Sequence, residues 1–290
     1  MMWQPVTVVI LNWNLYEDTV ACVESVQAAW VEGLRILVVD NGSDDGSPDR
    51  LAARFGDQIA LVRNARNAGF AAGNNAGIEY ALQSDAQSVL ILNNDTIVET
   101  AMLQMLLQAV EAAPTYHLVG PAIFYESEPQ RLWRIGDRYT GRWRLPRAVR
   151  AQELDRTVIP VDFLTGCAVL VQRQVFETIG LFDPRYLFYF EDADFCERAR
   201  RAGFQLACVP AARMWHKVSR SADKVSVRSR YNQARGRVQF YRTLPPRSSV
   251  ALIACYLAWK TLITVGRDAT RWRGDLVRAG LRGAYDGWRA

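Results

Sequence analysis

Four short runs of Val, Ile and Leu punctuate the first hundred residues, and each is followed by a polar turn. They are Val6–Leu11, Leu34–Val39, Ile59–Val62 and Val89–Leu92. Apolar runs this short, without polar alternation, read as strands buried on both faces, as in a parallel sheet. Between them lie stretches with helical spacing. Val20, Val23 and Val26 recur on one side of residues 17–29, residues 49–55 make a short helix, a helix runs from Asn75 towards Leu82, and residues 102–112 are helical. This β-α alternation predicts an α/β fold, a largely parallel sheet with right-handed crossovers. An extended piece begins at Leu118–Val119. Residues 125–160, rich in Arg, Trp, Pro and Gly, break the pattern and read as a hairpin or mobile loop over the site. Strand character resumes over Val161–Val171, and a short helix follows at 174–180. Residues 191–202 form a helix with an acidic first turn and Arg198, Arg200 and Arg201 near its end, which suits the helix dipole.

Three acidic stations are set on this frame: Asp40 in VVDNGSDDGS, Asp95 in ILNNDT, and Glu191-Asp192-x-Asp194 in YFEDADFCER. The first two directly follow apolar runs, so they emerge at the carboxyl ends of strands, where open α/β sheets bind ligands. An acidic site that handles an anionic nucleotide needs a cation to mediate, which points to metal-dependent chemistry on a nucleoside diphosphate compound. Asp40 can accept from an imide N–H or a ribose hydroxyl, or it caps a turn beside Gly42. Asp95, two residues after Asn93, offers a carboxylate to Mg²⁺ or Mn²⁺, or it caps a following helix. Three carboxylates in one turn raise at least one pKa by repulsion, which suits a general base; they also suit an ordinary helix start. His216 is either a ligand or a structural histidine, and His117 has no partner in sequence. Dinucleotide binding is excluded, since Asn12-Trp13-Asn14-Leu15-Tyr16 follows the first strand where GxGxxG is required, and no GxxxxGK[ST] loop occurs.

Half of the 290 residues are hydrophobic and 22% are charged, a globular balance. Five cysteines without a CxxC pair fit reduced thiols and no zinc site. The net charge of +5 conceals an asymmetry. Residues 211–290 hold 17 of the 35 Lys+Arg and four acids, so they carry +13 and the remainder −8. Val250–Val265 is apolar but interrupted by Lys260, too short to span a bilayer. Trp259, Trp272 and Trp288 beside Arg267, Arg271, Arg273, Arg278, Arg282 and Arg289 fit a basic segment lying in an anionic membrane interface. The alternative is a basic helix packed on the domain or on a second subunit. No recognition helix or RNA platform supports nucleic-acid binding. No basic start or small-residue cleavage site precedes Val6, which predicts a cytoplasmic chain, peripheral on the inner face of the membrane.

Taken in order, VVILNWN, VVDNGSDDGS, RNAGFAAGNNAGI, ILNNDT, the stretch from LTGCAVLV to FEDADFCERARRAG, and MWH resemble an inverting family 2 glycosyltransferase over roughly residues 5–242. The subgroup it is most similar to is the rhamnosyltransferase-like enzymes of bacterial surface polysaccharide assembly. The resemblance implies a GT-A fold over 1–244, with a nucleotide-sugar half to residue 120 and an acceptor half beyond it, followed by the basic segment 245–290. It implies that Asn14 and Asp40 hold nucleobase and ribose, and that Asn67, Gly69, Asn74 and Asn94 line the nucleotide pocket. The family's metal-binding DxD becomes Asn93-x-Asp95, so Asp95 and His216 are the implied ligands of Mg²⁺ or Mn²⁺. Asp192 is the implied base, with Glu191 and Asp194 positioning it or the acceptor. The implied donor is dTDP-L-rhamnose, with a UDP-hexose or UDP-N-acetylhexosamine second, and the acceptor a glycan or polyprenyl-diphosphate saccharide. A nucleotide-sugar-binding protein without catalysis is the competing class.

Overall fold

The computed structural model of the protein describes residues 4–140, 145–218, 226–243 and 250–289. In chain order the first elements are β1 (Val6–Asn12), α1 (Tyr16–Ala28), β2 (Leu34–Asp40), α2 (Ser47–Phe55), β3 (Ala60–Arg63), α3 (Phe70–Leu82) and β4 (Ser88–Asn93). Then follow β5 (Thr96–Val98), α4 (Met102–Ala112), β6 (Tyr116–Tyr125), β7 (Glu128–Arg134), β8 (Asp137–Thr140), β9 (Leu145–Ala148), β10 (Ile159–Val161) and β11 (Ala168–Gln172). The chain continues through α5 (Arg173–Ile179), α6 (Glu191–Arg201), β12 (Gln205–His216), α7 (Val227–Thr243), α8 (Val250–Thr270) and α9 (Gly274–Arg289).

The main sheet runs β10-β12-β6-β11-β4-β1-β2-β3, with β5 on β12 and β7 on β6. Strands β1, β2, β3 and β4 are parallel, as the alternation predicts. Val8 and Ile10 of β1 face one core with α1, α2 and α4, while Val9 faces the other with α3, α5 and α6. Both faces are covered, which is why these strands are unbroken apolar runs.

Beyond β4 the sheet is mixed. β11 is antiparallel to both β4 and β6, whereas β12 and β6 are parallel. The expected strand over 161–171 is two strands, β10 at the sheet edge and β11 near its centre, and residues 162–167 carry the chain between them. Thr96 begins a strand that pairs with His216, so Asp95 is a turn residue and caps no helix. The excursion folds back as β7 on β6 and as a β8–β9 hairpin; residues 141–144 lie outside the described residues.

The chain closes with α7, α8 and α9 packed together. A Cβ on Gly283 would collide with the Tyr231 carbonyl, so glycine lets α9 lie directly against α7. A buried Arg230–Asp268 pair (Nη2 to Oδ1, 2.9 Å) ties α8 to α7, and the Tyr231 hydroxyl donates to Asp286 of α9 at 2.8 Å. The implied boundary between 1–244 and the basic segment 245–290 falls at residues 244–249, which lie outside the described residues.

Candidate active site

The carboxyl ends of β1, β2 and β4 meet on Asn12, which is fully buried. Parallel register sets Asn12 beside Asp40. Its amide donates to Asp40 Oδ1 at 2.8 Å, and Thr19 Oγ1 donates to its carbonyl at 2.8 Å. Asp40 is itself buried, and Ser43 supplies two further donors, N–H to Oδ2 at 3.0 Å and Oγ to Oδ1 at 2.6 Å. Asp40 therefore faces inward and shapes the Asn41-Gly42-Ser43 turn. Asn14, in the left-handed region at φ 55°, is clamped to Asp44 by reciprocal bonds of 2.6 and 2.9 Å.

The next residue, Asn41, organises the Gly/Asn-rich loop. Its amide donates to Asn67 Oδ1 (3.2 Å) and the Gly69 carbonyl (3.1 Å), and its carbonyl accepts from the Ala68 N–H (3.2 Å). Gly69 has φ +89°, and a Cβ there would strike the Leu187 carbonyl, so this loop abuts the segment that precedes α6. Between them opens a cleft of about 380 Å³, lined by Trp13, Asn41, Asn67, Phe188, Arg228 and Asn232 among others. A larger groove of about 870 Å³ lies at the amino ends of the first strands, beside Trp30 and Tyr80, and contains none of the three acidic stations.

Asp95 leaves β4 at the same edge of the sheet. The β5–β12 pairing brings His216 back to it, with Nε2 3.1 Å from Oδ1. The His216 ring packs edge-on against Trp133 at 4.8 Å, and its buried Nδ1 has no hydrogen-bond partner.

Residues 165–167 join this pair to the third station. The Asn93 N–H donates to the Cys167 carbonyl at 2.9 Å, and the Gly166 N–H donates to Asp192 Oδ2 at 3.1 Å. The Cys167 thiol is pushed well up, first by burial and then by the charges of Asp95 and Asp192, so both carboxylates lie within its field. Asp192 Oδ1 accepts the Ala193 N–H at 2.8 Å. Burial raises the Asp192 pKa from its ordinary value, while the Gly166 and Ala193 N–H groups and the Arg134 guanidinium pull it partly back. Glu191 is buried with Oε2 unpaired, and burial plus the Asp192 charge hold its pKa well above normal. Just before this helix, Tyr189 and Phe190 both adopt left-handed φ near 74°, a strained entry of the kind found at functional sites.

The structure thus gathers Asp95, His216, Asp192 and Glu191 at one edge of the sheet, with Asn67 and Gly69 on the neighbouring loop. Asp194 is engaged elsewhere: burial raises its pKa, and Arg198, 2.7 Å away, opposes the rise while donating to the Ile179 and Leu181 carbonyls. Asn94 is buried and donates to Thr19 Oγ1 at 2.9 Å. Asn74 is buried within α3 and donates to the Phe70 carbonyl at 3.0 Å. Asn12, Asn41, Gly166 and Arg134 were not expected at the site. Asn12 carries one legible signal, a polar residue ending an apolar strand. Arg134 lies in the irregular excursion, where nothing in sequence assigns a neighbour.

A divalent cation fits Asp95 and His216. One carboxylate oxygen and one imidazole nitrogen stand within a shared span, and Mg²⁺ or Mn²⁺ completes its shell with diphosphate oxygens and water. Among the described residues no group of three His, Cys, Asp or Glu converges on one point, so protein alone supplies a partial shell.

A mixed α/β sheet with acidic turns at the carboxyl ends of its parallel half is the frame of GT-A glycosyltransferases, and this chain has that fold. The profile of the glycosyltransferase-like family 2 matches residues 4–236, and the chain belongs to that family. It is similar to the N-acetylglucosaminyl-diphospho-decaprenol L-rhamnosyltransferase of Mycobacterium tuberculosis, 29% identical over 221 residues, covering 69% of this chain and 72% of the relative. It is also similar to the dTDP-rhamnosyl transferase RfbF of Shigella flexneri, 22% identical, with 66% and 62% covered. Among solved structures, GalNAc-T7 with UDP, GalNAc and Mn²⁺ superposes with a TM-score of 0.64 at 18% identity, over 93% of this chain and 58% of that one. The protein is a family 2 glycosyltransferase of the rhamnosyltransferase-like kind.

Proposed function

We propose that this glycosyltransferase moves L-rhamnose from dTDP-L-rhamnose to a polyprenyl-diphosphate-linked saccharide, with inversion at the anomeric carbon. Its mycobacterial and Shigella relatives, by their names, support the sugar, the nucleotide and the lipid acceptor. The observation that carries the mechanism is Asp192, a carboxylate made more basic by burial and fixed by two backbone N–H groups beside the Asp95 turn. Asp192 accepts the proton of an acceptor hydroxyl as that oxygen bonds to the anomeric carbon. The bond from that carbon to the diphosphate oxygen breaks on the opposite face, and the nucleoside diphosphate leaves with the electron pair. Asp192 accepts two backbone N–H groups while Glu191 Oε2 has no partner, so Asp192 is the member of the pair equipped to carry the charge. Asp95 and His216 would hold a divalent ion that neutralises charge on the leaving diphosphate. The cleft between Trp13 and Phe188 takes the nucleotide, with Arg228 placed for its phosphates. In this reading, residues 1–244 perform transfer and 245–290 carry the contact with the inner membrane face.

The test is nucleoside diphosphate release across a panel of dTDP- and UDP-sugars, with Mg²⁺, Mn²⁺ or EDTA. Turnover of dTDP-L-rhamnose that stops with EDTA is the expected result. Turnover of a UDP-hexose alone would replace the donor. Tight donor binding without turnover, even with polyprenyl-diphosphate acceptors, would refute catalysis and favour a binding protein.

A further inference from the structure

The outward face of α8 is apolar along its length. Ala251, Cys255, Ala258, Trp259, Leu262, Ile263 and Gly266 are all exposed and recur at helical spacing, while Leu257 and Asp268 turn inward to α7 and α9. Leu262 is 71% exposed, far from the usual state of an aliphatic side chain on a packed helix. The row Trp259, Ile263, Arg267, Arg271 continues the stripe into a cationic end. There a pocket of about 300 Å³ is lined by Arg230, Arg267, Arg271 and Arg273, with Asp268 its single acid. Asp268 pairs with Arg230 and Asp275 with Arg273, so four guanidinium groups meet two carboxylates. Arg267 and Arg271 have no carboxylate partner among the described residues. Trp272, at the α8–α9 turn, is 95% exposed.

We infer that α8 lies flat on an anionic bilayer, with its apolar stripe in the headgroup–acyl boundary and with Arg267 and Arg271 on lipid phosphates. Charge complementarity selects this occupant: a partner protein or a second copy would satisfy the apolar stripe, but a second copy would bring a second cluster of uncompensated arginines. An interfacial helix of about 30 Å, 21 residues long, with aromatic residues and a cationic end has the form of a monotopic membrane element. Among the described residues no helix is long and apolar enough to cross the bilayer, which agrees with lying on it. This inference rests on the reading that the acceptor is lipid-linked, and it deepens it by naming the face that meets the lipid. The connection to the site is short. α7, on which α8 packs, holds Tyr189 through Ser229 (2.9 Å) and Phe190 through Phe240 (5.8 Å between rings), immediately before Glu191 and Asp192. Docking through α8 therefore sets the height of Asp192 above the bilayer.

Cys255 allows a direct test, because it is exposed on the stripe while the other four cysteines are buried. The full-length protein, labelled at Cys255 with an environment-sensitive fluorophore, is mixed with vesicles of phosphatidylcholine with or without phosphatidylglycerol. The expected result is a blue shift and co-sedimentation with the anionic vesicles. Leu262→Asp with Ile263→Asp weakens binding by about a hundredfold, and Arg267→Gln with Arg271→Gln by about thirtyfold, at roughly 1 kcal/mol per surface cation. Both double variants keep wild-type turnover on a water-soluble acceptor. Absence of the shift, or variants that bind like wild type, would overturn the inference. So would a stripe variant that converts a dimer to a monomer in sedimentation velocity without any vesicle binding, which would assign the face to a second copy. Vesicle binding without sugar transfer from any donor would instead sink the proposed function and leave the docking surface standing.

Discussion

Replacing Asp192 with Asn separates catalysis from folding more cleanly than any other change at this site. Asn keeps the volume and one carbonyl oxygen, so it retains one of the two backbone bonds from Gly166 and Ala193. Losing the second, a charge-assisted bond, costs roughly 1.5–3 kcal/mol, and losing the first-turn charge costs about 0.3–1 kcal/mol. Against this, the raised pKa shows that the ionised carboxylate is desolvated in the folded protein, and the neutral amide is spared that penalty. The opposing effects leave stability within about 1 kcal/mol of native, a shift of roughly 2–4 °C in Tm for a domain of this size. Turnover tells a different story. Removing the proton acceptor costs about 10²–10⁴ in kcat, roughly 3–5 kcal/mol of barrier. In the proposed mechanism Asp192 meets the acceptor and not the nucleotide, so donor affinity is expected to stay unchanged. The assay is nucleoside diphosphate release with acceptor present, alongside thermal denaturation and donor titration of the same preparation. Turnover within about tenfold of native would refute the role of Asp192, and a loss explained by donor affinity would refute its placement.

Two further changes probe the same carboxylates. Glu191 has a raised pKa, so the stability it contributes is fully present below its unfolded value of 4.5 and is lost as pH rises towards the folded value. Glu191→Gln should therefore raise Tm relative to native at neutral and alkaline pH and leave it unchanged near pH 4; a pH-independent difference would contradict the cause assigned here. Arg134 lowers the pKa of Asp192 by its charge. Arg134→Met is expected to move the acid limb of kcat/KM to higher pH, and an unmoved limb would mean that Asp192 does not govern it.

The parallel half of the sheet was legible because its strands are buried on both faces and its helices are amphipathic, both of which are local signals. Asp40 and Asp95 were placed at strand ends for that reason. The mixed half was not, since β12 reaches its position only through a register shift between Val209 and Arg213, which no periodicity announces. Direction of side chains was the other limit. A sequence cannot say that Asp194 turns to Arg198 while Asp192 turns to Gly166, because both partners are set by where α6 lies. Charge in one helical turn reads as a cluster, and tertiary contacts then divide it into roles.

That division explains why the third station lies so far along the chain. Asp95 and His216 are 121 residues apart and meet only because β5 pairs with the end of β12, Thr96 opposite His216. Asp192 enters from the helix just before β12, and its orienting N–H comes from Gly166, just before β11. β11 is antiparallel to β4, so its start lies at the carboxyl end of β4, beside Asp95: Ala168 stands opposite Leu92. An all-parallel sheet would have put the start of that strand at the far edge. The reversal at β11, which the sequence pattern did not predict, is what carries the implied base to the implied metal ligands.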